Sequence, residues 1–319
     1  MTAWHANRAR RRARAWLARQ CAILSASGRA WFAHRDDSKG AALAFYTLFS
    51  MTPILVLAIA AAGRFFGEDA AQEQVVAQIG SMVGPNGAKA IQALLVAARN
   101  PAAGLLAAAV ASVVFLVAAT TVFVELKGSL DEIWGVVERA PPALARSALG
   151  IVLQTRLLAF GLVLVLALLL LISLVVSAGL TVLEQHARDL WGGSAAILAA
   201  LSSIITLGVI ACLFAVIYKM LPDAPLSWRD VWSGAAFTAG LFSIGKYAIG
   251  LYIGGSGVAS SFGAAGSVIA LLLWVFYSAQ IFYFGAEFTR EYALHAGSLR
   301  RHRGRTPVPG RADAPRGSG

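Results

Sequence analysis

The chain has 319 residues, of which 58% are hydrophobic and only 13% charged, with a formal net charge of +11 and a mean hydropathy of +0.69. That balance excludes an average soluble domain and points to an all-α polytopic membrane protein. The two cysteines, Cys21 in a basic segment and Cys212 in an apolar run, exclude a disulfide framework and a thiolate zinc site.

Residues 1–39 read as a basic cytoplasmic segment, with nine Lys/Arg against Asp36 and Asp37. No short apolar core with a small-residue cleavage site follows, so no cleavable signal is read. Trp16, Gln20, Ile23, Leu24, Ser27 and Trp31 keep helical spacing, which predicts an amphipathic helix lying on an anionic membrane surface. Nucleic-acid binding is the disfavoured rival, because an arginine-rich run alone is a weak signal.

The first span is expected from Ala41 to Gly63, with Pro53 midway. Proline frees a backbone carbonyl, so a kink is expected there, read first as packing and second as a gating hinge. From Glu68 to Asn100, apolar residues recur on one helical face either side of Gly84–Gly87. This predicts an extracytoplasmic hairpin of two amphipathic helices. The second span, Ala102–Val124, ends in Glu125, Lys127, Asp131, Glu132 and Trp134, read as a solvated helix end with an aromatic anchor. The third, Leu157–Leu180, has almost no polar group and is expected to face lipid.

The fourth span, Ser194–Tyr218, leads through the turn residues of Lys219–Asp230 to the fifth, with an N-cap expected at Ser227 or Asp230. The fifth span, Val231–Gly254, carries Lys246, which at about 1.5 Å per residue lies roughly 12 Å from the Gly254 end. A charge at that depth is costly. Two readings stay open: the ammonium snorkels to the nearer surface, or it serves as a functional cation. Gly240, Ser243, Tyr247, Gly250 and Gly254 share one face, and the GxxxG spacing of Gly250 and Gly254 suits helix packing and leaves room for a homo-oligomer. After a glycine-rich turn, the sixth span, Ala264–Ala286, puts Tyr277, Gln280 and, just beyond it, Glu287 on one face. A buried glutamine needs partners, so that face should point inward.

The domain reading is therefore residues 1–39, a six-helix membrane domain over 40–293, and a disordered basic tail over 294–319. The Lys/Arg bias fixes the orientation: nine in the amino-terminal segment, four in the second loop, two in the fourth and seven in the tail, against four on the other side. Both termini are then cytoplasmic. Lys246, Tyr247, Ser243, Tyr277 and Gln280 are the candidate ligand-binding set, for an anionic membrane lipid. The five histidines are scattered, no carboxylate set suits a metal, and no phosphate-binding loop occurs, so neither metal nor cofactor is expected.

Three stretches, GAALAFYTLFSMTP (Gly40–Pro53), LKGSLDEIW (Leu126–Trp134) and GAAGSVIALLLWVFYSAQIFYFGAEFTREYA (Gly263–Ala293), resemble the YihY/virulence factor BrkB family. The resemblance covers about Ala30 to His295. It implies a bacterial inner-membrane protein of six spans, from a family that has carried the label ribonuclease BN and whose members are linked to serum resistance or to envelope-lipid export. It supplies no catalytic residues. The absence of a clustered metal-ligand set speaks against the nuclease label, and the chain is read as no enzyme. A transporter-like bundle that moves or exposes an anionic amphiphile is the leading reading; a non-transporting envelope scaffold is the alternative.

Overall fold

The computed structural model describes residues 2–83, 85–98, 122, 124–136, 195–224, 226–255 and 266–301, and all regular structure among the described residues is helical. In chain order these are α1 (Thr2–Ala33), α2 (Asp36–Phe66), α3 (Glu68–Val83), α4 (Pro85–Ala98), α5 (residues 124–133), α6 (Ala195–Met220), α7 (Trp228–Gly255) and α8 (Gly266–His295), then a 3₁₀ turn, Ser298–Arg301. Three are long and apolar enough to cross a membrane: Ser203–Met220 within α6, Trp228–Ile253 within α7, and α8. They coincide with the expected fourth, fifth and sixth spans. The segment expected as the first span is one unbroken helix through position 53. The third span lies outside the described residues, as do the second apart from its last residues, the turn 256–265 and the tail beyond Arg301.

Two corners set the amino-terminal helices. Between α1 and α2, Arg35 takes a left-handed conformation (φ 54°, ψ 43°), which costs an L-residue about 1–2 kcal/mol. Asp36 and Asp37 follow in the first turn of α2, where the helix dipole favours negative charge. Between α2 and α3, Gly67 has φ 86° and its N–H closes the last turn on the Gly63 carbonyl at 2.9 Å, a role that suits glycine. At the start of α7 the Ser227 carbonyl accepts from the N–H groups of Asp230 and Val231, so the helix begins where turn chemistry placed it.

Helix α8 packs against α7, α2, α1 and α4, while α6 packs on α7 and α3 on α2 and α4. Between lipid-embedded helices there is no hydrophobic drive, so association depends on close packing and hydrogen bonds. The junction of α6, α7 and α8 shows both. A Cβ on Gly234 would collide with Thr289, one on Gly245 with Ile281 and Tyr277, and one on Gly285 with Thr238 and the Tyr218 hydroxyl. Thr238 and Thr289 donate to carbonyls four residues back, at 2.8 and 2.6 Å, and so keep their hydroxyls satisfied inside an apolar seam. Tyr218 of α6, fully buried, donates to the Phe282 carbonyl of α8 at 2.7 Å.

The α5 segment was expected as a solvated helix end. Leu130 and Ile133 are instead fully buried, packed with Tyr218, Leu221, Phe282 and Tyr283. The correction follows from spacing: Leu126, Leu130 and Ile133 fall on one helical face, and the charged residues occupy the rest. On α1, Ile23 and Ser27 are buried and the helix packs on α8, while Leu17 and Leu24 remain exposed.

Candidate functional site

The inward face of α7 is fixed by Gly245 against Tyr277 and by Ile249 and Ile253, which pack with Ala270 and Trp274. One residue on from Gly245, Lys246 is half-buried and turned off that seam, with its Nζ 5.3 Å from the centre of the Tyr247 ring. Such a contact is worth about 0.5–1 kcal/mol where exposed, and more when desolvated. Tyr247 is 69% exposed, and Ile244 and Leu251 beside it are also exposed. Among the described residues no carboxylate pairs with Lys246. An ammonium flanked by open aromatic and aliphatic surface, on a helix long enough to cross a membrane, is chemically suited to the headgroup–tail boundary of an anionic amphiphile.

Of the other residues expected at this site, Tyr277 lies behind Gly245 in the seam, and Ser243 donates to the Ala239 carbonyl at 2.8 Å within its own helix. Gln280 lies elsewhere: it packs against Gly40 of α2 and donates to the Asp37 carbonyl at 3.2 Å. The structure thus brings Lys246 and Tyr247 together and sends Gln280 to the α2 side of α8. A Cβ on Gly240 or Gly250 would meet nothing within 4 Å. The side-chain surroundings of Pro53 and Gly254 lie outside the described residues.

A second constellation sits where the α1–α2 corner meets α8. Glu287 is fully buried, with Oε1 2.5 Å from Nδ1 of His34, whose side chain is 25% exposed. Asp36 is fully buried as well; its Oδ1 accepts from Lys39 Nζ at 3.2 Å, and Lys39 also reaches Glu132 of α5 at 3.0 Å. Burial pushes the Asp36 carboxyl above its ordinary value, against the opposing pull of Lys39. Two buried carboxylate oxygens here, Asp36 Oδ2 and Glu287 Oε2, make no hydrogen bond among the described residues.

Beyond it, Lys127 ties α5 to the loop after α6, donating to Asp131 at 2.7 Å and to Asp223 at 2.8 Å, while the Asp223 N–H donates to Asp131 at 2.8 Å. Burial draws the Lys127 ammonium down, but its two carboxylate hydrogen bonds outweigh this and leave it above the ordinary lysine value.

The chain matches the family model described as virulence factor BrkB over residues 32–308. It belongs to the BrkB family. Both constellations of this BrkB-family chain fall inside the match. A UPF0761 membrane protein of Verminephrobacter eiseniae (strain EF01-2) is 30% identical over 268 residues, 81% of this chain and 59% of its own length. A protein of the same description from Pseudomonas aeruginosa (strain LESB58) is 28% identical over 256 residues, 79% of this chain and 58% of its own. The BrkB-family chain therefore spans a little under three fifths of the length of these relatives. No solved structure matches it.

Sequence reasoning placed Glu287 on an inward face but did not find its partner, because His34 is 253 positions away. The available signal was the run Glu287, Thr289, Glu291 in a helix that stays helical to His295.

Proposed function

We propose that this BrkB-family membrane protein binds an amphiphile with an anionic headgroup and moves it across, or exposes it on, the bacterial inner membrane. In this reading six helices span, both termini are cytoplasmic, and α3 and α4 lie on the opposite side. The observation that carries it is Lys246: an ammonium on a candidate span, without a carboxylate partner among the described residues and flanked by exposed Tyr247, Ile244 and Leu251. A cation inside a membrane helix is costly unless something compensates it, and an anionic headgroup does so while its tail covers the adjoining apolar surface.

The test is native mass spectrometry of the detergent-purified chain titrated with phosphatidylglycerol or phosphatidylcholine, in wild type, Lys246→Arg and Lys246→Gln. The expected result is retention of phosphatidylglycerol over phosphatidylcholine in wild type and Lys246→Arg, lost in Lys246→Gln. Equal retention of both lipids in all three proteins would leave Lys246 as a snorkelling residue and put the non-transporting scaffold first.

A further inference from the structure

The contact between His34 Nδ1 and Glu287 Oε1, at 2.5 Å, requires a proton between them, because two lone-pair acceptors repel at that distance. With Glu287 ionised the imidazole donates from Nδ1 and Nε2 is its free nitrogen; with Glu287 protonated the carboxylic acid donates to Nδ1. The surroundings are short of positive charge. Asp36 and Glu287 are both fully buried, and each leaves one carboxylate oxygen without a donor among the described residues. A buried carboxylate oxygen without a donor is expensive, and the usual resolution is neutralisation.

The groups facing Glu287 are few. From the α1–α2 corner come His34 and Asp36, and from its own helix Arg290, which also pairs with Glu291 at 3.3 Å. Asp36 in turn faces Lys39 and, from α5, Glu132, while Ser129 and Glu125 of α5, together with Asp36, face the Tyr283 hydroxyl. From α7, Asp230 is engaged elsewhere, accepting from the backbone and side chain of Ser298. Arg19 of α1 donates to the His295 carbonyl. Lys39 is thus shared between two carboxylates, and Arg290 between two more.

We propose that Glu287, Asp36 and His34 form a proton-binding site, with half-buried His34 as the entrance and the two buried carboxylates as the place where the proton is held. A hydronium ion gives its proton to Nε2 of His34, Nδ1 passes its own proton to Oε1 of Glu287, and the imidazole is left neutral in its other tautomer. One water is released and one carboxylate becomes a carboxylic acid, whose Oε1–H donates back to Nδ1. A metal cation fits poorly: hard cations take six or more oxygens, whereas two buried carboxylate oxygens lie free here, beside the ammonium of Lys39. Among the described residues no group of three His, Cys, Asp or Glu is arranged to hold a metal. The site stands on the α1–α2 side of α8, independent of the Lys246 reading.

The test is an infrared pH titration of the full chain in detergent, following the C=O band of protonated carboxyl groups in wild type, Glu287→Gln and Asp36→Asn. The expected result is one titrating band in wild type that Glu287→Gln removes. Asp36→Asn should keep that band and lower its midpoint by about one pH unit, since a like charge has been taken away. If Glu287→Gln does not fold, the shift in Asp36→Asn decides alone. Identical titrations in wild type and Asp36→Asn would overturn the proposal, as would a band displaced by sodium ions at constant pH.

Discussion

Gly285→Ala tests the packing of α8 most sharply, because two opposing effects differ in size. The added Cβ would lie 2.7 Å from both Thr238 Cγ2 and the Tyr218 hydroxyl, and closer still to Thr238 Oγ1. Neither neighbour has room to give. Tyr218 is fully buried and held at 2.7 Å to the Phe282 carbonyl, and Thr238 is held at 2.8 Å to the Gly234 carbonyl. Overpacking of this kind costs about 1–3 kcal/mol. Loosening an interhelical hydrogen bond in a membrane adds about 0.6–1.7 kcal/mol. Alanine returns about 1 kcal/mol of helix propensity. The clash wins, for a net loss of about 1–3 kcal/mol. At about 2–4 °C per kcal/mol, the thermal midpoint falls by roughly 2–12 °C. The assay is tryptophan fluorescence during heating of the detergent-purified chain. Gly240→Ala is the control, since a Cβ there meets nothing within 4 Å and only the propensity gain applies. A Gly285→Ala protein that melts at or above Gly240→Ala would refute the seam.

Lys127→Met should lower stability by up to about 1 kcal/mol at neutral pH, as expected for a partly screened ion pair. Because the folded ammonium sits above the ordinary lysine value, its contribution is complete below about pH 10.4 and is lost as pH rises through the folded value. On the alkaline side the midpoints of wild type and variant should therefore converge only in strong alkali, and convergence near pH 7 would remove Lys127 from the account. Arg35→Gly should raise the midpoint, since glycine relieves a strain of about 1–2 kcal/mol against an entropic cost of about 0.5–1 kcal/mol. Arg35→Val should lower it; equal midpoints in all three proteins would mean that the corner holds no strain.

The parts of the fold legible in the sequence are those set by local pattern. Hydropathy marked the segments that became α6, α7 and α8, and of the two expected N-cap positions, Ser227 and Asp230, the structure takes Ser227, so that α7 starts at Trp228. Helix α8 continues to His295, nine residues past the expected end of the sixth span, because Glu287, Thr289 and Glu291 are polar yet buried. A hydropathy window sees polarity and cannot see His34, which makes that burial tolerable. Glycine spacing was similarly incomplete. Gly250 and Gly254 carry the recognisable pattern, but the closest approaches run through Gly234, Gly245 and Gly285. Gly234 and Gly245 are eleven residues apart, three turns along one face, and which face meets a neighbour is decided by that neighbour's side chains. Lys246 was legible as a costly charge on a span. Its pairing with Tyr247 follows from adjacency, whereas the departure of Gln280 to the α2 side is set by the approach of Gly40.

The most direct measurement reconstitutes the full chain into vesicles and follows the transbilayer movement of a fluorescent phosphatidylglycerol by quenching from outside. Wild type should accelerate that movement over protein-free vesicles, Lys246→Arg should retain the acceleration, and Lys246→Gln should lose it. Rates equal to protein-free vesicles, or an acceleration that Lys246→Gln leaves intact, would contradict the account.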